Sequence, residues 1–330
     1  MWKLNKEFLN ILNPNANRKN IHFAKSYNNK LFIIQEDTVL SIWKIDPHFQ
    51  ITKEYDVNLG SKFYNPNFQF LDNKLLLNNR YGEICIIDFN DYNNLITIFS
   101  KDIEGRESCC MYKNKLYSQI YLTNTDGYSI SDLPTIKNPN PKTTIAIQKE
   151  NISSGSYALV TNTVIYWINQ ESIFIMDVSN PDIPKSIVEK EIVDLVMGYP
   201  ILVANNRMVV IETYDANRIG CNFFDISNNN IKRLQKGQFK NHCIRAFHLS
   251  NDYLFLVHLD FKKINNERKY KTYLSAIDIN NDFSIRFTKE LPFIEIYGDD
   301  SSKIVWVGEY NNKIIILLAN GKFFDLILST

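Results

Sequence analysis

Along the chain, short apolar runs stop again and again at an aspartate. The pattern appears in SIWKID (Asp46), ICIIDFN (Asp88), YSISDLP (Asp132), IFIMDVS (Asp177), CNFFDIS (Asp225), LSAIDIN (Asp278) and GKFFDLI (Asp325). Successive separations are 42, 44, 45, 48, 53 and 47 residues, so seven units span the 330 residues. A second mark runs in step with the first. Polar turns built on an asparagine precede a fresh apolar run at Asn29, Asn73, Asn114, Asn162, Asn206, Asn251 and Asn312. Asparagine tolerates positive φ and bonds its own backbone, which suits a tight hairpin.

A third mark is a basic-acidic pair late in each unit: Lys53-Glu54, Lys101-Asp102, Lys149-Glu150, Lys190-Glu191 and Lys289-Glu290, with Lys236-Gly237 as the imperfect member. The seventh pair is missing after Asp325 and stands instead at Lys6-Glu7, so residues 1–10 read as the last strand of the last unit. A short amphipathic helix over Leu4, Phe8 and Leu12 is the competing reading of that stretch. Within a unit, four short β-branched and aromatic segments are separated by Asn, Gly or Pro, which predicts strands. Segments such as LFII, ICII and IFIM are apolar at every position and need cover on both faces.

Four-stranded units of this length predict an all-β fold: one seven-bladed β-propeller domain over residues 1–330, of four-stranded antiparallel blades, its ring closed by the N-terminal strand. The pattern resembles the WD-repeat class, and IFIMDVSNPDIPKSI is closer to the LVIVD-type repeats of prokaryotic propellers. The Trp-Asp dipeptide and Gly-His pair of true WD repeats are absent. The resemblance implies a fold and no particular activity.

Composition narrows function mainly by exclusion. With 37 basic and 36 acidic residues, the formal charge is +1, and no global field favours nucleic acid or an anionic membrane. No apolar run reaches the length of a membrane span or of a signal-peptide core, and the five cysteines form no CxxC pair. This predicts a cytoplasmic protein, monomeric by itself, with reduced thiols and one of Cys109 and Cys110 pointing inward. The five histidines lack metal-ligand spacing, and no nucleophile elbow or phosphate loop is present. No cofactor, no metal and no catalysis are therefore expected.

The repeated aspartates read as turn-fixing groups, and the Lys-Glu pairs as charges that keep outer strands from pairing with other chains. What remains is the loops on one face, where Phe63 and His242 also fall. The expected function is a non-catalytic platform that binds another protein, as an adaptor or an immunity-type inhibitor. The expected contacts are Tyr64, Arg80, Tyr81, Arg106, Tyr199, Arg218, Lys262, Lys263, Arg268, Lys269 and Tyr297, since Tyr and Arg concentrate interface energy. Four of these lie in the basic insertion 260–271, read as an added hairpin. Two other classes stay open: a metal-dependent propeller hydrolase or lactonase with Asp and Asn ligands, for which Asp299-Asp300 is the candidate pair, and a propeller that binds a small molecule or glycan.

Overall fold

The computed structural model describes residues 2–10, 21–35, 38–46, 48, 50–60, 63, 67–78, 84–89, 106–120, 127–135, 137–138, 141–148, 157–161, 163–168, 172–191, 198–203, 207–215, 218–227, 231–240, 242–250, 252–264, 267–281, 283–296, 302–310 and 313–328. Strand β1 (Trp2–Asn10) opens the chain. The first sheet is then β2 (Ile21–Tyr27), β3 (Lys30–Gln35), β4 (Val39–Ile45) and β5 (Ile51–Asn58). The second comprises β6 (Asn67–Leu71), β7 (Lys74–Asn78) and β8 (Ile84–Asp88). The third holds β9 (Arg106–Tyr112), β10 (Lys115–Ile120), β11 (Gly127–Asp132) and β12 (Thr144–Gln148).

The fourth is formed by β13 (Tyr157–Thr161), β14 (Val164–Ile168), β15 (Ser172–Asp177) and β16 (Lys185–Glu191). The fifth contains β17 (Gly198–Val203), β18 (Arg207–Asp215), β19 (Arg218–Asp225) and β20 (Lys232–Lys240). The sixth is β21 (His242–Leu249), β22 (Tyr253–Ile264), β23 (Glu267–Asp278) and β24 (Ile285–Ile296). The last, β25 (Ile304–Tyr310), β26 (Lys313–Leu318) and β27 (Lys322–Leu328), is completed by β1, which pairs antiparallel with β27 from Trp2↔Leu328 to Asn10↔Lys322. Residues 2–10 thus form the strand that the Lys6-Glu7 mark predicts, not a helix. Seven antiparallel meanders of this kind are the blades of a seven-bladed β-propeller.

The two sequence marks keep step because they meet. The amide N–H of the residue after the repeat aspartate donates to the carbonyl of the first hairpin turn. These bonds are Phe89 to Asn73 (2.9 Å), Leu133 to Asn114 (2.8 Å), Val178 to Thr163 (2.8 Å) and Ile279 to Asp252 (3.1 Å). In the first sheet Lys44 takes the aspartate's place in the ladder, opposite Lys30, so Ile45 donates to Asn29 (2.8 Å) and Asp46 stands two residues further on. The donating residues are apolar and buried, so each strand exit is pinned under the blade. The aspartate carboxylate then caps the turn. Asp46 accepts the amides of His48 and Gln50, Asp177 that of Ser179, Asp225 that of Ser227, and Asp278 those of Asn280 and Asn281. The hairpin conformation differs in detail from expectation. At Asn28 and Asn29 both residues take positive φ, but in the next two turns Asp72 and Lys113 carry it, not Asn73 and Asn114.

The chain divides into two compact units. One comprises residues 1–62, 213–220 and 237–330, with the first, sixth and seventh sheets. There Ala246, Phe255, Val257, Leu274 and Ala276 pack with Val307, Ile314, Ile316 and Leu326. On the other side of the seventh sheet, Trp306, Ile315 and Phe323 pack with Leu31, Ile33 and Trp43. The Trp306 indole lies where a side chain on Gly308 would stand, so that position has room for hydrogen alone.

The other unit comprises residues 63–212 and 221–236. The motif SNPDIP of the fourth sheet docks on the third: Tyr117 donates to the Pro181 carbonyl (2.9 Å), and Lys115 bridges Asp132 (2.7 Å) and Asp182 (2.5 Å). Tyr166 repeats the first contact one sheet on, donating to the carbonyl of Ile226 (3.4 Å). Both Cys109 and Cys110 are buried, a correction to the expected inward and outward pair. Alternation sends them to opposite faces, but neighbouring sheets cover both faces of a blade. Phe63 is likewise fully buried and belongs to the core, not to a contact loop.

The Lys-Glu marks at Lys53-Glu54, Lys190-Glu191 and Lys289-Glu290 fall on β5, β16 and β24, the fourth strands of their sheets. Each described pairing of a fourth strand is bulged: β4–β5, β11–β12, β15–β16, β23–β24 and β27–β1. Bulges and mixed charge both make an edge a poor template for another chain.

Two outcomes follow from this geometry. Removing Trp2–Asn10 uncovers β27, where Leu326 is fully buried opposite Leu4. Fully burying a leucine is worth about 1.5–3 kcal/mol, so the truncated chain should unfold at a clearly lower urea midpoint; an unchanged midpoint would show that β1 carries no stability. Asp278 is the second case. Hydrogen bonds from Asn281 and from Arg286 (2.7 Å) hold its carboxyl well below the usual range. Its contribution is therefore complete above the unfolded carboxyl pKa of about 3.9 and drains as pH falls below that toward the folded value. Urea midpoints at pH 6 and pH 3 should converge for wild type and Asp278→Asn as acid is added. A gap that stays constant over that range would refute the assignment.

Candidate functional site

The sixth sheet departs from the others in length. Strands β22, β23 and β24 each run 12 residues, whereas no other described strand exceeds nine. The insertion 260–271 is not a detached loop but a continuation of the sheet. Twelve unbroken pairs join β22 to β23, from Tyr253↔Asp278 to Ile264↔Glu267. β24 follows as far as Lys269↔Ile296. β21 stops at His242↔Asp260, so beyond that row the sheet continues as a three-stranded arm.

Directly opposed residues share a face of a sheet. One face of the sixth sheet carries Phe255, Val257, Leu274, Ala276 and Phe287, which pack on the seventh sheet. The opposite face starts apolar, at Leu254, Ile277 and Ile285, and turns polar towards the tip. Its next rows hold Leu256, Ser275 and Thr288, then His258, Tyr273 and Glu290. Asp260 and Lys271 come next, and Lys262 and Lys269 after them. At the base, the His258 Nε2 lies 2.8 Å from the Ser275 hydroxyl, which is 2.7 Å from that of Thr288. His258 stacks on Tyr273 at 5.7 Å. Glu290 accepts from Lys271 (2.5 Å) and from the Tyr273 hydroxyl (3.4 Å).

The electrostatics follow from these contacts. The hydrogen bond to Glu290 raises the Lys271 pKa, so this ammonium stays charged. Burial first, and the Glu290 charge second, raise that of Tyr273. Ser275 and His258 are fully buried, and both links of the serine hydroxyl are internal. The pair holds a buried imidazole in place rather than presenting a nucleophile. Elsewhere in this unit, burial lowers the Lys25 pKa to about 8 and that of His248 to about 4.

Of the residues expected to contact a partner, Lys262, Lys263, Arg268 and Lys269 are brought together in two opposed pairs, Lys262↔Lys269 and Lys263↔Arg268. Arg106 opens β9 of the third sheet, while Tyr199, in β17 opposite Ile211, and Arg218, which opens β19, both belong to the fifth. Tyr64, Arg80, Tyr81 and Tyr297, with the Asp299-Asp300 pair, lie outside the described residues. Sequence reasoning passed over the His258, Ser275, Thr288, Tyr273 and Glu290 network. Its signal was the period of two in Lys271, Tyr273 and Ser275. Among the described residues no group of three or more His, Cys, Asp or Glu is placed to hold a metal ion. No helix among them is long and apolar enough to cross a membrane.

Fold and arm together define the class: a seven-bladed β-propeller with an extended sixth blade. Solved structures agree on the fold. The β-propeller domain of Cps50 (Swd1) from Myceliophteria thermophila superposes with a TM-score of 0.59 at 10% identity, over 99% of this chain and 100% of that one. The computationally designed Ika8 protein gives 0.57 at 10% identity, over 98% and 100%. BamB from Moraxella catarrhalis gives 0.50 at 10% identity, over 92% and 80%. No protein-family model and no curated protein matches the sequence.

Proposed function

We propose that the chain is a non-catalytic platform that binds another protein, with the arm of the sixth blade as the centre of its interface. The carrying observation is the arm itself. Strand continues strand for a full hairpin beyond the row where β21 ends, and the extension is basic. Residues 260–271 hold five cations against Asp260 and Glu267. Removing them from the chain's 37 basic and 36 acidic residues leaves 32 and 34, so the arm inverts the sign of the body it projects from. Such a patch steers an acidic partner and sets the register of docking.

Tyr64, Arg80, Tyr81, Arg106, Tyr199, Arg218 and Tyr297 supply the remaining contacts in this reading. The protein then works as an adaptor or as an immunity-type inhibitor that covers its partner's surface. Its repeats are of the LVIVD type, supported by MDVSNPDIP and its docking on the preceding blade. Four buried cysteines held as thiols, outside any disulfide, support a reducing, cytoplasmic setting.

The test is a purified pair. A protein recovered with the wild-type chain from its source cells and re-expressed should bind at least tenfold more weakly once Lys262, Lys263, Arg268 and Lys269 are all changed to Glu, with the melting temperature of the variant unchanged. An equal Kd for the two chains, or no stoichiometric partner, would contradict the reading.

A further inference from the structure

The arm has an open edge. Past Asp260, β22 runs on through Phe261, Lys262, Lys263 and Ile264 with β23 on one side. Among the described residues no strand pairs with these four on the other side, because β21 ends at His242. Alternate residues of such a stretch direct their N–H and C=O groups outward, and no described strand takes them up. The chain guards its other strand edges differently. Each described fourth-strand pairing is broken by at least one bulge, and the marks on β5, β16 and β24 combine both signs of charge. The β22–β23 register has no irregularity up to the tip, and the open stretch carries cations alone. An edge with cations alone repels basic strands and favours an acidic one.

We propose that this edge is a docking site for an extended acidic segment of the partner, which adds to the sixth blade as a further β-strand. The proposal rests on the interaction-platform reading above and gives it a mode. Side chains of an added strand stand beside those of the edge residues they oppose. The edge reads apolar, basic, basic, apolar from Phe261 to Ile264. Its complement reads apolar, acidic, acidic, apolar, and this pattern is the same in both chain directions. Backbone hydrogen bonds to the outward groups supply affinity, and the two carboxylates beside Lys262 and Lys263 supply selectivity, the division of labour in strand addition generally.

Three synthetic peptides measured against the full chain by fluorescence anisotropy decide the matter. The first has a Val-Glu-Glu-Val core, the second carries the same core N-methylated at alternate amides, and the third has Val-Lys-Lys-Val. Only the first should bind, with at least a tenfold loss on N-methylation and a further loss as salt is raised. A chain carrying Lys262→Glu and Lys263→Glu keeps its backbone edge intact and should transfer its preference to the Val-Lys-Lys-Val peptide. Equal binding of the methylated and unmethylated cores would overturn strand addition, as would failure of the double variant to switch. If neither peptide binds while the partner itself still requires the arm's cations, strand addition falls and the platform reading survives. Loss of both would remove the arm from the interface altogether.

Discussion

In four blades the end of the third strand depends on one backbone hydrogen bond. The third strand leaves the sheet at the repeat aspartate, and the next N–H must find an acceptor as its apolar side chain goes under the blade. The carbonyl of the first hairpin turn meets it at 2.8–3.1 Å in four blades. A buried donor left unpaired costs about 1–3 kcal/mol, so strand exit and hairpin turn are held together. The aspartate carboxylate then takes up the amides just beyond. That geometry makes Asp and Asn recur in step along the chain; in the first blade Lys44 takes the aspartate's place in the ladder and Ile45 makes the bond.

Much of the architecture was therefore open to reading from residues. Both marks belong to one local structure, and its period is the period of the blade. The Lys6-Glu7 pair assigned β1 because outer strands share a composition that resists pairing with other chains. Where sequence reasoning faltered, burial on two faces was the cause. Cys109 and Cys110 alternate as any strand residues do, yet neighbouring sheets cover both sides. Phe63 looked like a loop residue because it stands among the turn-forming residues of GSKFYNPN, while the fold takes it into the core. Positive φ at Asp72 and Lys113 depends on turn geometry that composition alone does not encode.

The site was legible in part. An excess of cations in residues 260–271 stood out against a neutral chain, and those cations lie in opposed pairs at the tip of the arm. That the insertion continues β22 and β23 in unbroken register was hidden, because DFKKINNERKYK has no run of apolar residues to announce strands. Charged side chains are tolerated there because the arm extends beyond the rows that pack on the seventh blade. The buried His258 and Ser275 network was hidden for the opposite reason. Its members sit two apart on strands and are joined only by cross-strand register.

The bond that follows the repeat aspartate in these four blades is the central constraint. Native-state hydrogen exchange of the Phe89, Leu133, Val178 and Ile279 amides measures it directly. These four amides should exchange as slowly as those of the central strands β7, β10, β14 and β22, opening only with the blades themselves. Exchange at the rate of an unprotected turn would contradict the account, and would mean that the in-step recurrence of Asp and Asn has another cause.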